Sequence, residues 1–310
     1  MDLRQLAALL AVADHGSFSA AARALHTVQS NVSTHVARLE KELGVTLVDR
    51  AGGTITEEGR VVVDRARRIR AELDALVSDI TSLRDEVHGV ARIGVIGTTA
   101  RWLVPLVIDA LAKAHPKVRL VVVDATTSLQ LPQLARGELD LAVVNIPTGD
   151  PEVVDEPLFE EDRFVIAPAD HPLARHDKLT LAQLAEHELL LPAVGTIYRK
   201  ELDAEAAAAG VMLRPKAEVD GMRLVASLAF QGFGAAVLPA SASPGWLEPA
   251  RRWKRIPVEG LMPRTVGLVQ RRRGLPSAAA RAVREVISQV VEQNGRDQPG
   301  VHPAPALPAA

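Results

Sequence analysis

The 310-residue sequence contains no cysteine. A disulfide scaffold, a thiolate zinc site and a cysteine nucleophile are thereby excluded, and the absence fits a reducing compartment. Neither charge sign is in excess: 36 Lys and Arg face 38 Asp and Glu, for a formal charge of −2. Composition alone therefore points to no polyanionic partner. An uninterrupted hydrophobic run is also missing. The most apolar stretch, Leu224 to Ala240, is broken by Gln231, Gly232 and Gly234 and closes around Pro239, which is short of the roughly 20 residues a spanning helix needs. Met1-Asp2-Leu3-Arg4-Gln5 has no basic region followed by an apolar one, so no secretory signal is read and a cytoplasmic location without membrane insertion is expected. What remains is a chain with 47 % apolar residues, enough for a sizeable core, in a length that allows two or three domains at roughly 100–200 residues each.

Helical periodicity dominates the first ninety or so positions. Leu3, Leu6, Leu9, Leu10 and Ala13 form a stripe that ends at His15-Gly16. Ser17 or Ser19 can cap a second helix through Ala20, Ala21, Ala22 and Ala24 to Leu25, since a side-chain oxygen there satisfies an orphan N–H. Thr27 is the expected cap of a third, in which Val28, Val32, Val36, Leu39 and Leu43 recur before Gly44 stops it. Val45–Val48 and Thr54–Thr56 read as a small hairpin around Gly52-Gly53. From Glu57, the positions Val62, Ile69, Leu73, Leu76, Ile80, Leu83 and Val87 alternate as a coiled-coil seam. No downstream helix is in register with it, so pairing with another subunit is expected, burial on a neighbouring globular domain being the alternative.

Beyond Gly89 the pattern becomes strand, helix, strand, an α/β architecture with largely parallel pairing expected. Strands are placed at Ala91–Ile96, Arg119–Val123, Leu139–Asn145, Arg163–Pro168, Glu188–Leu191, Ala235–Leu238 and Thr265–Gln270. Helices are placed at about Arg101–His115, Ser128–Arg136, Tyr198–Ala209, Gly221–Phe230 and Ser277–Val291. The Pro- and Ala-rich stretch 293–310 is expected to be a disordered tail.

On the third helix the apolar positions share one arc, which leaves Ser30, Thr34, Ala37 and Lys41 opposite and Asn31, Ser33 and Arg38 flanking. Small hydroxyl and amide side chains near a helix start suit approach to base edges in a major groove. The same face also describes an ordinary solvated helix. A wider pattern bears on the choice: Leu3–Leu10, Gly16-Ser17-Phe18-Ser19-Ala20-Ala21-Ala22-Arg23-Ala24-Leu25, Val28-Gln29-Ser30-Asn31-Val32-Ser33, Leu39–Leu47, Arg50 and Thr56-Glu57-Glu58-Gly59. It closely resembles the winged helix-turn-helix of LysR-type transcriptional regulators. Leu134–Ala142 and Gln231–Pro239 resemble that family's effector domain, so the likeness covers about residues 2 to 292.

The resemblance implies a winged helix-turn-helix at 1–58, a linker dimerisation helix at 59–88 and an effector-binding domain like periplasmic binding proteins at 89–292. The last divides into two α/β subdomains, 89–162 with 265–292, and 163–264. Thr27, Gln29, Ser30, Ser33 and Thr34 would touch double-stranded DNA, joined by Arg38 and by Arg50 of the wing. Ile69, Leu73, Leu76, Ile80 and Leu83 would pair subunits into a homodimer or homotetramer. The sequence departs from the family's habit at three places: Thr34 and Gly52-Gly53 stand where basic residues are common, and Val48 replaces a Phe. Residues 1–56 hold Arg4, Arg23, Arg38, Lys41 and Arg50 against Asp2, Asp14, Glu40, Glu42 and Asp49, so few phosphate contacts and a shallow salt dependence are expected.

A small-molecule effector of unknown identity would lie between the subdomains, where strand carboxyl ends meet helix amino ends and orphan N–H groups attract anions. Thr98, Thr99, Thr127, Ser128, Asn145 and Thr196 occupy such turns, although a hydroxyl there can equally be a helix cap. Arg101 and Arg223 could meet a ligand carboxylate or form structural ion pairs, and Phe233 reads as packing. The runs Arg251–Arg255 and Arg271–Arg273 read as surface charge. No enzyme or cofactor is expected. A His-Glu-x-x-His pair is absent, His171 and His176 lie in a Pro-containing loop, and His187 beside Glu188 lacks two further ligands. Gly232-Phe233-Gly234 lacks the third glycine of a dinucleotide fingerprint. The rival reading is a solute-binding protein of the same effector fold without DNA-binding activity.

Overall fold

The computed structural model describes residues 1–49, 53–83, 86–243 and 252–304. It divides into an N-terminal unit ending near Val77 and a larger one from Ser78 onward.

The first unit holds α1 (Leu3–His15), α2 (Phe18–Ala24), α3 (Gln29–Leu43), β1 (Val48–Asp49), β2 (Thr54–Ile55) and the start of α4 (Glu57–Ser82). Asp2 and Gln5 form a reciprocal capping box on α1, and Ser17 caps α2 by accepting the Ala20 N–H. Gly16 and Gly44 end α1 and α3 with a φ of 70°, a left-handed turn that costs glycine nothing. Thr27 is not the cap of α3. Val28 holds that place without a side-chain hydrogen bond and is exposed, outside the apolar stripe assigned to it. Val32, Val36 and Leu39 do point inward, packing with Leu9 and Leu47 in one core. Glu40 Oε1 accepts the N–H groups of Leu47 (2.8 Å) and Val48 (3.2 Å), which ties the end of α3 to β1. At Gly59 a Cβ would collide with the Leu47 carbonyl, so the glycine is what lets α4 start against the wing. Val63 and Ala66 of α4 complete the core, whereas Ile69, Leu73, Leu76, Ile80 and Leu83 are all exposed in the single chain.

The larger unit begins with β3 (Gly89–Val95), α5 (Gly97–Ala114), β4 (Val118–Asp124), α6 (Thr127–Arg136), β5 (Leu141–Ile146), β6 (Val153–Glu161) and β7 (Arg163–Pro168). It continues with β8 (Leu179–Thr180), α7 (Leu181–Ala185), β9 (Glu188–Pro192), α8 (Ile197–Ala208), β10 (Arg214–Val219), α9 (Met222–Phe230) and β11 (Ala236–Pro239). Then follow β12 (Trp253–Glu259), β13 (Arg264–Arg271), α10 (Ala278–Asn294) and β14 (Val301–Pro303). Two sheets organise it, in the orders β14-β6-β13-β5-β3-β4 and β11-β7-β12-β8, with β9 and β10 paired parallel beside the second and bridged to it through Leu189 and Ala235. The chain passes from the first subdomain to the second at Asp162 and returns at 260–263.

Largely parallel pairing does not describe the first sheet. β3 is parallel to β4 and β5, but β13 runs antiparallel to both β5 and β6, and β14 antiparallel to β6. The reason lies in the route: β13 re-enters from the second subdomain, at the end where β5 and β6 finish. Strands that were legible, such as β5 and β7, are buried at nearly every position and read as continuous apolar runs. β6, β10 and β12 carry Pro157, Pro215 and Pro257 among charged residues, which masks a strand pattern.

The tail expected to be disordered is ordered as far as residue 304. α10 runs to Asn294, and Val301, buried in the first core, opens a strand on the edge of β6. One buried valine and a free sheet edge beside it suffice where composition suggested no strand. Residues 305–310 lie outside the described part of the chain.

Candidate functional site

On α3 the buried face is opposite a polar one. Gln29, Ser30, Thr34 and Arg38 are exposed, and Thr27 and Ser33 are partly so. Ser19 Oγ donates to Gln29 Oε1 (3.1 Å), which fixes the amide and turns its N–H groups into the available donors. Asn31 Nδ2 donates to Thr27 Oγ1 (3.0 Å), and Thr34 Oγ1 donates to the Ser30 carbonyl (2.7 Å), leaving the Thr34 hydroxyl as an acceptor. The face thus presents amide and hydroxyl groups at the amino end and one guanidinium further along. Arg50 and Gly52 lie outside the described residues.

In the larger unit a cleft of about 330 Å³ opens between the two subdomains. Thr98, Thr127, Ser128 and Asn145 line it from the first and Thr196 from the second, so it brings together all but one of the residues expected there. Thr99 is the exception. α5 begins at Gly97 instead of near Arg101, so Thr98 and Thr99 sit in its first turn, and Thr99 is wholly buried with no hydrogen-bond partner for Oγ1 among the described residues. Ile96, at the N-cap, supplies no side-chain acceptor to the orphan N–H groups of that turn. Thr196 caps α8, accepting the Arg199 N–H (3.3 Å), and its hydroxyl donates to the Ala193 carbonyl.

The strongest polar feature of the cleft had no local signal. Arg264, 5 % exposed at the first position of β13, donates through Nη2 to Thr98 Oγ1 (3.1 Å) and through Nε to Glu161 Oε1 (2.6 Å). Glu161 is fully buried, and its other oxygen accepts the Ser241 N–H (2.8 Å). The guanidiniums of Arg163 and Arg264 lie 5.7 and 5.4 Å from the ring centroid of Tyr198, and burial pushes its phenol far above its ordinary value. Asn145 is 8 % exposed, its Oδ1 has no partner among the described residues, and it faces this cleft. Arg223 lines the cleft but is paired with Asp124. Arg101 donates to the Ala242 carbonyl, and burial with Arg223 nearby lowers its affinity for its proton. Phe233 is exposed and does not line the cleft.

In the run Arg271–Arg273 two members do more than carry surface charge, while Arg251 of the other run lies outside the described residues. Arg271 donates to the Leu134 and Leu139 carbonyls and Arg272 to those of Pro151 and Val153, so both staple loops. Among the described residues no cluster of three or more metal-ligating side chains occurs, and no helix is long and apolar enough to cross a membrane.

Residues 3–60 match the family described as bacterial regulatory helix-turn-helix protein, lysR family, and residues 84–292 match the LysR substrate binding domain. This chain is a LysR-family transcriptional regulator. Within the family it is 36 % identical over 245 residues to a probable hydrogen peroxide-inducible genes activator of Streptomyces viridosporus, covering 77 % of this chain and 78 % of the relative. It is 31 % identical over 302 residues to the RuBisCO operon transcriptional regulator of Allochromatium vinosum, covering 96 % and 99 %. In fold it is similar to a full-length OxyR of Pseudomonas aeruginosa, with a TM-score of 0.76, 24 % identity and 99 % of each chain covered. A LysR-family regulator binds DNA and carries an effector-binding domain, and both parts are present here.

Proposed function

We propose that this regulator reads its operator with Thr27, Gln29, Ser30, Ser33, Thr34 and Arg38 of the helix-turn-helix, with Arg50 on the wing, and responds to a compact polar molecule held in the interdomain cleft by Thr98, Thr127, Ser128 and Asn145. Thr196 borders the same space, and Thr99 supports it from below. The observation that carries this reading is that the first turn of α5, which has no side-chain cap, lines the same cleft as Asn145, whose buried Oδ1 has no partner among the described residues. A buried acceptor without a donor costs about 1–3 kcal/mol, so a ligand that offers a hydroxyl or amine to it, and an oxygen to the Thr98 turn, is favoured over water. Coupling to DNA requires that the ligand prefer one arrangement of the subunits.

Assembly into a dimer or tetramer follows from the exposed seam of α4, since two reading heads must lie about 34 Å apart to meet successive half-sites. Leu76→Asp with Ile80→Asp should abolish operator binding and lower the mass seen by light scattering; an unchanged mass removes the seam from the assembly. The protein acts in the cytoplasm and performs no catalysis.

Although a relative is named for hydrogen peroxide-inducible genes, this chain has no cysteine. Thiol oxidation to a sulfenic acid or disulfide is therefore closed to it, and we infer reversible binding as its input. The test is to map genomic binding sites and to measure operator affinity with and without peroxide and the small metabolites of the neighbouring genes. Peroxide should leave affinity unchanged, whereas one metabolite should shift it in the native protein but not in Asn145→Leu. A peroxide response in the purified protein would overturn the reading.

A further inference from the structure

The segment that follows α10 touches both subdomains at the place where the chain crosses between them. On one side, Val301, His302 and Pro303 pair with Glu161, Glu160 and Phe159 of β6, and the Ala304 N–H donates to the Leu158 carbonyl (2.9 Å). On the other, Arg255 of β12 donates through Nη2 to the Pro299 carbonyl (3.0 Å) while its guanidinium lies 3.4 Å from the centre of the Phe164 ring on β7. Between these holds lies the crossover residue itself: the Asp162 N–H donates to the Gly300 carbonyl (2.8 Å), and its carboxylate meets His302 Nε2 (3.1 Å). The fit is close. Gly300 has a φ of 82°, and a Cβ there would come within 3.1 Å of Arg255 Nη2 and 3.2 Å of both Ala240 Cβ and Asp162 Oδ2.

We propose that residues 295–304 are a strap that clamps the hinge between the two subdomains. Two covalent crossovers, at Asp162 and at 260–263, leave a bending axis between the sheets. Beside the Arg223–Asp124 ion pair and the Arg101–Ala242 hydrogen bond at the cleft, a noncovalent tie at the crossover, anchored on β6 and hooked by Arg255, restricts rotation about that axis, because opening or closing must stretch either the β14 ladder or the Arg255 hook. The strap is also one step from the cleft: Val301 is paired with Glu161, whose carboxylate holds Arg264, which in turn holds Thr98. The range of cleft openings available before any ligand arrives is therefore set in part by this segment. The bearing on regulation rests on the cleft being the effector site; the clamp does not, and its test uses no effector.

The absence of cysteine makes the measurement direct. Ile108→Cys on α5 and Met212→Cys before β10, both exposed and one in each subdomain, give one spin-labelled pair per full-length chain; with labelled chains diluted in an excess of unlabelled protein, the distance distribution within the chain is read by pulsed electron paramagnetic resonance. In this background Arg255→Ala, Gly300→Val and a chain ending at Gln298 should each broaden the distribution, with circular dichroism unchanged. A distribution that keeps its width in all three overturns the clamp. Broadening on truncation alone also overturns it, since the strap would then be a sheet edge with no hold on the second subdomain. If the shortened chain does not fold, the two point variants decide.

Discussion

Arg264 Nη2 lies 3.1 Å from Thr98 Oγ1, a hydrogen bond between positions 166 residues apart that joins the first turn of α5 to the strand returning from the second subdomain. Because the same guanidinium neutralises a fully buried Glu161, it serves the fold and the cleft together.

Arg264→Met should therefore be costly. It leaves an uncompensated buried carboxylate, and breaking such a pair from one side destabilises by about 3–5 kcal/mol. Adding Glu161→Gln to Arg264→Met should recover much of that loss, because the stranded charge is gone. Urea unfolding of the full-length protein checks both, and a double variant no better than the single one would place the cost in packing.

Asn145 should behave in the opposite way. Its Oδ1 has no partner among the described residues, so Asn145→Leu should change stability by no more than about 1 kcal/mol while removing the response to effector. A loss of several kcal/mol in thermal or urea unfolding would mean that the amide supports the fold.

On DNA, Gln29→Ala and Arg38→Ala should separate. Loss of a base-reading amide should cost about 1–3 kcal/mol and relax preference at one base pair, whereas loss of a phosphate contact should weaken all sequences alike and reduce the salt slope by about one. With five basic residues balanced by five acidic ones in positions 1–56, the slope of log K against log salt should be only a few units. Titrations across salt concentrations with operator and scrambled duplexes measure both effects.

Acid should loosen the helix-turn-helix through two carboxylates. The Gln5 N–H holds Asp2 below its ordinary value of 3.8, and the Met1 ammonium with the Gln5 amide holds Glu42 below 4.5. A depressed folded value means stability that is present above the ordinary value and lost as pH falls through the folded one, so the decline should come below about pH 4. Asp2→Asn, which cannot titrate, should flatten the acid limb of the melting temperature plotted against pH.

Much of the N-terminal unit was legible because its determinants are local. The stripe on α3, the glycines at 16 and 44 and the seam of α4 are all periodic over a few turns of helix. Even there, the hydroxyl expected to cap α3 proved to be a partner of Asn31, since capping depends on a φ/ψ turn that Val28 adopts instead. In the larger unit, Thr98, Thr127, Ser128 and Thr196 were legible at strand-to-helix junctions, whereas Asn145, expected at such a turn, lies within β5 and is paired with Val266. Arg264, Tyr198 and the strap were not, because each acquires its partner from more than 35 residues away.

The sequence by itself determined the family, the polar exposed face of α3, the exposed apolar stripe of α4 and the exclusion of thiol chemistry, all of which follow from residue identity at short spacing. Only the tertiary structure decided the antiparallel return of β13, the buried Arg264–Glu161 pair at the cleft and the docking of 301–303 on β6. The physical reason is one of range. Helix periodicity and turn chemistry act over a few residues, whereas a buried ion pair or a sheet edge is favourable only after distant strands have met.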